Sequence, residues 1–303
     1  MTYQQFQQEI TKRIRRSLTN EATVSLQSIS KNNEVRLDGL TITSGDCNIS
    51  PTIYLNNFYD SYEQGESLED ITTEIIRIYR DNRPLESVNA SFYTDLNRVR
   101  DKLMFKLIHY QKNRTLLKDI PHMRCMDLAI VFYCLVSVTP SGSATILVRN
   151  NHLSLWNISK DTLLSYALQN NQERLPATLA PLSDLISDAL PDTDFPEPSH
   201  TQPELHILTN RHKLFGAGCM LYPKLLHDIS GRFDSDLIIL PSSVHEVLLF
   251  PDTAHQEHAA LNEMVREVNL TQVSPEEVLS DHIYLYSRQD NCIHYNRESY
   301  SFS

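Results

Sequence analysis

The stretch DSDLIILPSSVHEVLLFPD, residues 234–252, places a polar cluster between two apolar runs. The cluster contains Ser243, His245 and Glu246. A serine beside a histidine is the pair used in nucleophilic catalysis, but residues two apart in a strand share a face, where a direct hydrogen bond between them is awkward. Serine also suits a turn. We favour a polar network that pins the end of a hairpin, with a ligand or catalytic pocket as the alternative.

A second polar cluster, Thr209–Lys213, supplies several hydrogen-bond donors for a possible anion. Asp281 could join this cluster if the strands that carry the two segments are neighbours in the sheet. The alternative, which we favour, is an exposed and charged loop. Together the two clusters define the candidate binding residues, which are Asn210, Arg211, Lys213, Ser243, His245, Glu246 and Asp281.

Several known chemistries lack their motif in this sequence. His245-Glu246 is followed by Val-Leu-Leu and not by the spacing of a zinc-binding H-E-x-x-H helix. The sole G-x-G, Gly216–Gly218, lacks the further residues of a nucleotide-binding loop, and there is no G-x-S-x-G elbow. The five cysteines form no C-x-x-C pair. We therefore expect neither a metal nor a cofactor.

Composition limits the partners and the compartment. With 27 Lys and Arg against 38 Asp and Glu, the formal charge is −11, so we expect no nucleic acid and no membrane as partners. The longest nearly apolar run, residues 126–138, contains Asp127 and is shorter than the roughly 20 residues of a membrane span. An odd cysteine count and no apolar segment after the N-terminal charges predict a cytoplasmic protein. The partner is an unknown protein or small ligand.

The first part of the chain predicts a helix followed by a hairpin. Apolar residues recur at helical spacing near the N-terminus, and TVSLQSI and EVRLDGLTI alternate around an Asn-rich turn at residues 31–33. SPTIYLNNF predicts a third strand. Ser67 is expected to cap a helix with an apolar face and an acidic first turn.

The rest of the chain predicts further hairpins and amphipathic helices. Strands are expected in RDKLMFKLIHY, ELHILTN, FGAGCML and HIYLYSR, and hairpins from MDLAIVFYCLVSV with SATILVR and from DLIIL with VHEVLLF. Helices are expected in YPKLLHDISGRF, ending at Gly231, and in HQEHAALNEMVREVN. The pattern predicts an α+β fold of mostly antiparallel sheets built from hairpins. A proline-rich acidic linker or loop, 187–203, is predicted to separate an N-terminal region, 1–186, from a C-terminal region, 204–303.

Five segments carry a family resemblance that extends over nearly the whole chain. They are LDGLTI (37–42), NISPTIYLNN (48–57), LTNRHKLFGA (208–217), LPSSVHEVLL (240–249) and REVNLTQVSPEEVLSDHIYLY (266–286). On these segments the chain resembles DUF5688, a domain of unknown function found in Gram-positive gut bacteria. The resemblance implies a cytosolic bacterial protein, encoded by mobile-element or accessory genes, and implies no activity.

Three functions remain as hypotheses. The leading one is a non-enzymatic cytosolic binding or regulatory protein, because signatures of catalysis are missing. The first alternative is a hydrolase-like or transferase-like enzyme with a polar pocket around His245 and Glu246. The second is an accessory protein of a mobile element that binds a basic protein partner, to which the acidic charge would be complementary.

Overall fold

The computed structural model describes residues 1–18, 22–44, 50–82, 94–139, 142–184, 204–252, 257–295 and 298–300. The chain divides into two compact units, Met1–Asp95 and Leu96–Ser303. Across these described stretches, no helix has both the length and the apolar character needed to cross a membrane.

The first unit contains a three-stranded antiparallel sheet on which helices pack. Its described elements are α1 (Tyr3–Ser17), β1 (Ala22–Ser30), β2 (Arg36–Ser44), β3 (Thr52–Tyr54), α2 (Leu55–Glu63) and α3 (Leu68–Asn82). The strands pair in the order β1-β2-β3, which confirms the predicted hairpin. The third strand, predicted over residues 50–58, is confirmed only at Thr52–Tyr54, because α2 begins at Leu55. In the hairpin turn, Asn33 adopts the left-handed conformation that asparagine tolerates well.

Apolar residues from the helices and the sheet form the core of this unit. Those fully buried include Phe6, Ile10, Ile14, Leu40, Leu55, Ile71 and Ile75. Ser67 caps α3 as predicted, since its hydroxyl accepts a hydrogen bond from the backbone N–H of Asp70 over 3.1 Å. The helical spacing in the sequence therefore located α1 and α3 correctly, whereas α2 was not predicted.

The second unit begins with a four-stranded antiparallel sheet. Its strands are β4 (Leu103–His109), β5 (His122–Cys125), β6 (Leu128–Thr139) and β7 (Gly142–Leu147), and its helices are α4 (Leu96–Val99), α5 (Arg114–Leu117), α6 (Asn150–Trp156) and α7 (Lys160–Arg174). The long strand β6 pairs with the other three, and the predicted β6–β7 hairpin is confirmed. Because β6 is central, its residues 128–135 are all buried, which explains the nearly continuous apolar run.

A seven-stranded antiparallel sheet completes the second unit. Its strands are β8 (Ala177–Pro181), β9 (His206–Asn210), β10 (Leu237–Leu240), β11 (Val247–Pro251), β12 (Tyr284–Ser287), β13 (Cys292–Tyr295) and β14 (Glu298–Tyr300), and its helices are α8 (Leu225–Phe233) and α9 (His258–Thr271). The strand order is β14-β13-β12-β10-β11-β9-β8. The predicted α+β fold with mostly antiparallel sheets is thus confirmed.

Three local predictions in this unit are wrong. Residues 216–221, predicted as a strand, form a 3₁₀ helix (Gly216–Leu221). Helix α8 continues past Gly231 and ends with Asp234 in the left-handed conformation. Strand β11 begins only at Val247, so Val244–Glu246 lie in the connection after β10 and do not alternate between strand faces. The segment that the sequence pattern predicts as a strand is therefore longer than the hydrogen-bonded strand β11.

The proline-rich segment 187–203 lies outside the described residues, so its assignment as a linker or loop stays a prediction. The strands on either side of it, β8 and β9, pair with each other from Ala177 with Asn210 to Pro181 with His206. The division between the two compact units falls at another point of the chain, between Asp95 and Leu96.

Candidate functional site

The Thr209–Lys213 cluster comprises the last two residues of β9 and the first three of the loop that follows it. Asn210, the last residue of the strand, is 1% exposed, and its side chain organises the loop. Its Nδ2 donates to Leu214 O over 2.7 Å, and its Oδ1 accepts from the backbone N–H groups of His212 and Leu214 over 3.0 and 3.2 Å. The amide thus serves three backbone groups of the loop, which we call the Asn210 loop, residues 210–216.

Two non-glycine residues of the Asn210 loop have a left-handed backbone, Lys213 and Phe215, each with φ 51°. Such a conformation costs about 1–3 kcal/mol and persists where the surroundings impose it. Gly216 ends the loop, and a Cβ there would lie under 3.0 Å from Thr209 Oγ1, His245 O and Asn210 N. The loop therefore needs a residue without a side chain at this position because neighbouring backbone fills the space.

Phe215 is held by three side chains of the same unit. Its ring stacks on His245 with centroids 5.3 Å apart and an interplanar angle of 18°. Lys106 Nζ lies 4.0 Å from the ring centroid, and Tyr133 packs edge to face at 5.2 Å. These contacts lock the aromatic side chain although its backbone is strained.

His245 connects the Asn210 loop to the segment before β11. Its Nδ1 lies 3.2 Å from Phe215 N and 3.1 Å from Lys213 O, while its Nε2 lies 3.8 Å from Glu277 Oε1. The backbone of His245 is also bonded, because its N–H donates to Ser243 Oγ over 3.0 Å and its carbonyl accepts from Thr209 Oγ1 over 2.8 Å. The imidazole therefore faces loop backbone and a carboxylate.

The structure brings four of the predicted residues together, namely Asn210, Lys213, Ser243 and His245. Ser243 is buried, and its hydroxyl accepts from the His245 backbone, so its contact with His245 is a turn contact. Arg211 is exposed, and its N–H donates to Pro176 O over 3.0 Å. Glu246 is half-buried, and its carbonyl accepts from Ser243 N over 3.2 Å. These contacts are the geometry of the polar residues at the end of the β10–β11 hairpin.

Asp281 belongs to a different cluster, because β9 and β12 are separated by β10 and β11 and so are not neighbours. Asp281 Oδ2 accepts from Lys112 Nζ over 3.1 Å and its Oδ1 accepts from Asn269 Nδ2 over 2.9 Å. Burial would raise the pKa of Asp281, but the hydrogen bonds from Asn269 and Lys112 outweigh it and the pKa is lowered. The proposed union with the Thr209–Lys213 cluster is therefore wrong.

A partly buried carboxylate network that the sequence did not predict adjoins Asp281. Asp127 accepts from Tyr284 OH over 2.7 Å and from Ser280 Oγ over 2.6 Å. Burial, and then the negative charge of Asp127, raises the pKa of Tyr284, which keeps the phenol protonated as a donor. The one signal in the sequence was a carboxylate inside the apolar run 126–138, where an unpaired charge would be costly.

The contacts of Phe215 with Lys106 and of His245 with Glu277 were also missed. The residue type of Phe215 does not indicate a left-handed backbone, and Phe215, Lys106 and Glu277 are far apart in the chain. Among the described residues, no group of three or more His, Cys, Asp or Glu side chains is placed to hold a metal ion. What the site offers instead is a hydrogen-bonded loop that carries Arg211, His212 and Lys213, all exposed.

The fold and this loop define an α+β protein with a polar site at a sheet end. The chain belongs to the Family of unknown function (DUF5688), whose model matches residues 3–288. No curated protein matches the chain. No solved structure matches it either.

Proposed function

We propose that this protein is a non-enzymatic binding protein that captures an anionic ligand at the Asn210 loop. The observation that carries the proposal is that the buried Asn210 amide hydrogen-bonds to the backbone of the loop and holds its conformation. The exposed part of this loop carries three consecutive basic residues, Arg211, His212 and Lys213. A loop that is already ordered loses less conformational entropy on binding.

The chemistry of the loop favours a carboxylate or phosphate ligand. Arginine offers a planar fork of donors that matches either group, and lysine adds a point charge. Neither Arg211 nor Lys213 forms an ion pair with another described residue, so both charges are available to a ligand. The overall charge of −11 does not prevent this, because charges more than about 8 Å away are largely screened at physiological ionic strength.

The proposal includes a compartment and a source. We place the protein in the bacterial cytoplasm, since the family resemblance implies a bacterial source. Among the described residues, Cys125, Cys219 and Cys292 form no disulfide, which supports a reducing compartment. The ligand is an acidic protein segment or a small anion of the same compartment.

The contacts of Ser243 and His245 support binding over the enzyme alternative. A serine nucleophile would need its hydroxyl beside the imidazole of its base. Here the hydroxyl of Ser243 accepts from the backbone N–H of His245, and the ring nitrogen Nδ1 faces Phe215 N and Lys213 O. Polar groups that hold a loop in shape are what a preorganised binding site needs.

Isothermal titration with inorganic sulfate and with a hexaglutamate peptide tests the proposal at constant ionic strength. We expect both to bind wild type and to lose at least tenfold in affinity in Arg211→Gln/Lys213→Gln. The matched control, Arg232→Gln/Arg266→Gln, removes two exposed positive charges elsewhere in the same unit and is expected to bind normally.

Three results would contradict the proposal. The first is the absence of binding by either anion, and the second is equal loss in the loop variant and the control. The third is binding of a hexalysine peptide in place of hexaglutamate, which would favour the accessory protein that recognises a basic partner. A single-stranded oligonucleotide, included in the same panel, separates a general phosphate site from a nucleic-acid site.

A further inference from the structure

His245 Nδ1 lies within hydrogen-bond distance of two loop groups that require opposite protonation states. Phe215 N, at 3.2 Å, is a donor, so Nδ1 can accept from it only when Nδ1 carries no proton. Lys213 O, at 3.1 Å, is an acceptor, so Nδ1 can bond to it only when protonated. One nitrogen cannot satisfy both groups at once, and both belong to the Asn210 loop.

The charged groups around the imidazole favour neither state by a direct bond. Glu277 Oε1 lies 3.8 Å from Nε2, and Glu246 follows in the chain. Lys106 Nζ lies against Phe215, the ring that stacks on His245. Lys213, whose carbonyl contacts Nδ1, carries an exposed ammonium group, and the uncharged Ser243 and Thr209 are bonded to the His245 backbone. Glu277 is the carboxylate positioned to accompany a positively charged ring.

We propose that His245 is a positioning residue of the Asn210 loop, and that proton uptake at Nδ1 transfers its hydrogen bond from Phe215 N to Lys213 O and thereby couples anion binding to pH. The proton comes from solvent and adds to the Nδ1 lone pair, and no covalent bond breaks. The imidazolium keeps Nε2–H toward Glu277, while Phe215 N–H loses its imidazole acceptor.

The coupling to the ligand rests on the proposed function. A positive charge on His245, next to the loop that carries Arg211 and Lys213, favours an anion there. By linkage, a ligand that binds more tightly to the protonated form must raise the proton occupancy of His245 to the same degree. Anion binding should therefore strengthen on acidification and be accompanied by proton uptake.

The first test needs no ligand and so is independent of the proposed function. Long-range ¹H–¹⁵N spectra of the full chain, recorded between pH 5 and 8 in a His212→Gln background, report the protonation of each ring nitrogen of His245. We expect Nδ1 to be unprotonated at high pH, and the Phe215 amide resonance to shift with the same midpoint as Nδ1. The proposal would be overturned if Nδ1 carried a proton throughout this pH range. It would also be overturned if the Phe215 amide resonance did not shift with the protonation of Nδ1.

The second test measures the coupling. Sulfate titrations of wild type and of His245→Gln at pH 6, each in two buffers of different ionisation enthalpy, give the protons taken up on binding. We expect less proton uptake in His245→Gln than in wild type, because the glutamine amide donates and accepts hydrogen bonds but does not titrate. Equal uptake in both proteins would refute the coupling. If sulfate fails to bind at all, the proposed function fails, while the outcome of the first test still decides the role of His245 in the free protein.

Discussion

Tyr284 OH donates to Asp127 Oδ1 over 2.7 Å, a hydrogen bond between residues 157 positions apart in the sequence. Asp127 lies in the turn between β5 and β6 of the four-stranded sheet, and Tyr284 begins β12 of the seven-stranded sheet. The contact therefore joins the two sheets of the second unit through a charged acceptor. A hydrogen bond to an ionised carboxylate is roughly twice as strong as one between neutral groups.

A double-mutant cycle between these two residues should show coupling. Asp127→Asn and Tyr284→Phe each weaken the bond, and hydrogen bonds to charged groups contribute about 1.5–3 kcal/mol, so we expect a coupling energy of about 1–2 kcal/mol in urea denaturation. The control cycle pairs Asp127→Asn with Tyr222→Phe, whose hydroxyl bonds to Leu175 O instead. Additive effects in the first cycle would show that the bond does not join the sheets energetically.

Asn210→Ala should destabilise the second unit through the loop backbone. The substitution removes three hydrogen bonds and leaves the buried Leu214 groups unsatisfied, so we expect the free energy of unfolding to fall by about 2–4 kcal/mol. Asn151→Ala, at an exposed position in α6, is the control and should change it by less than about 0.5 kcal/mol. Similar values for the two variants would contradict the role given to Asn210.

Substitution of two glycines by alanine should act in opposite directions. Gly216→Ala places a Cβ against backbone atoms of His245 and Asn210, and we expect a loss of about 1–3 kcal/mol. Gly231 lies inside α8, and a Cβ there would meet no atom within 4 Å, so Gly231→Ala should stabilise by about 0.5–1 kcal/mol. Thermal and urea unfolding check both signs, and a neutral Gly216→Ala would mean that the loop relaxes freely.

The stability of the second unit should depend on pH through His109. Burial lowers the pKa of His109 below 6.5, and the nearby charges of Asp127 and Lys112 modify it in opposite directions. The unfolded chain therefore binds this proton at a higher pH than the folded protein does. The contribution of His109 to the free energy of unfolding is complete above pH 6.5. This contribution is lost as the pH falls from 6.5 through the pKa of His109 in the folded protein.

The variant His109→Gln removes this titration and keeps an acceptor for the Lys112 N–H, which bonds to His109 Nδ1 over 3.2 Å. We expect the difference in unfolding free energy between pH 7 and pH 5 to be smaller in the variant than in wild type. His227→Gln, at an exposed position of α8, is the control. An unchanged pH dependence in His109→Gln would exclude His109 as its source.

Local patterns predicted most elements because they depend on neighbours in sequence. The alternation of TVSLQSI and EVRLDGLTI located β1 and β2, and the spacing of apolar residues located α1, α3 and α9. The predicted strand at 216–221 was wrong, because small apolar residues suit a tight 3₁₀ turn as well as a strand. The close approach of His245 O to Gly216 is a tertiary contact that the local pattern does not reveal.

For the candidate site, the sequence by itself determined the residue types: the donors at 210–213, the polar turn at 243–246 and a carboxylate within an apolar run. Only the tertiary structure decided which of them meet. The strand order places β10 and β11 between β9 and β12, which separates Asp281 from the Asn210 loop and gives it Lys112 as a partner. The physical reason is that sheet order and left-handed backbone arise from packing between distant segments, which local periodicity does not encode.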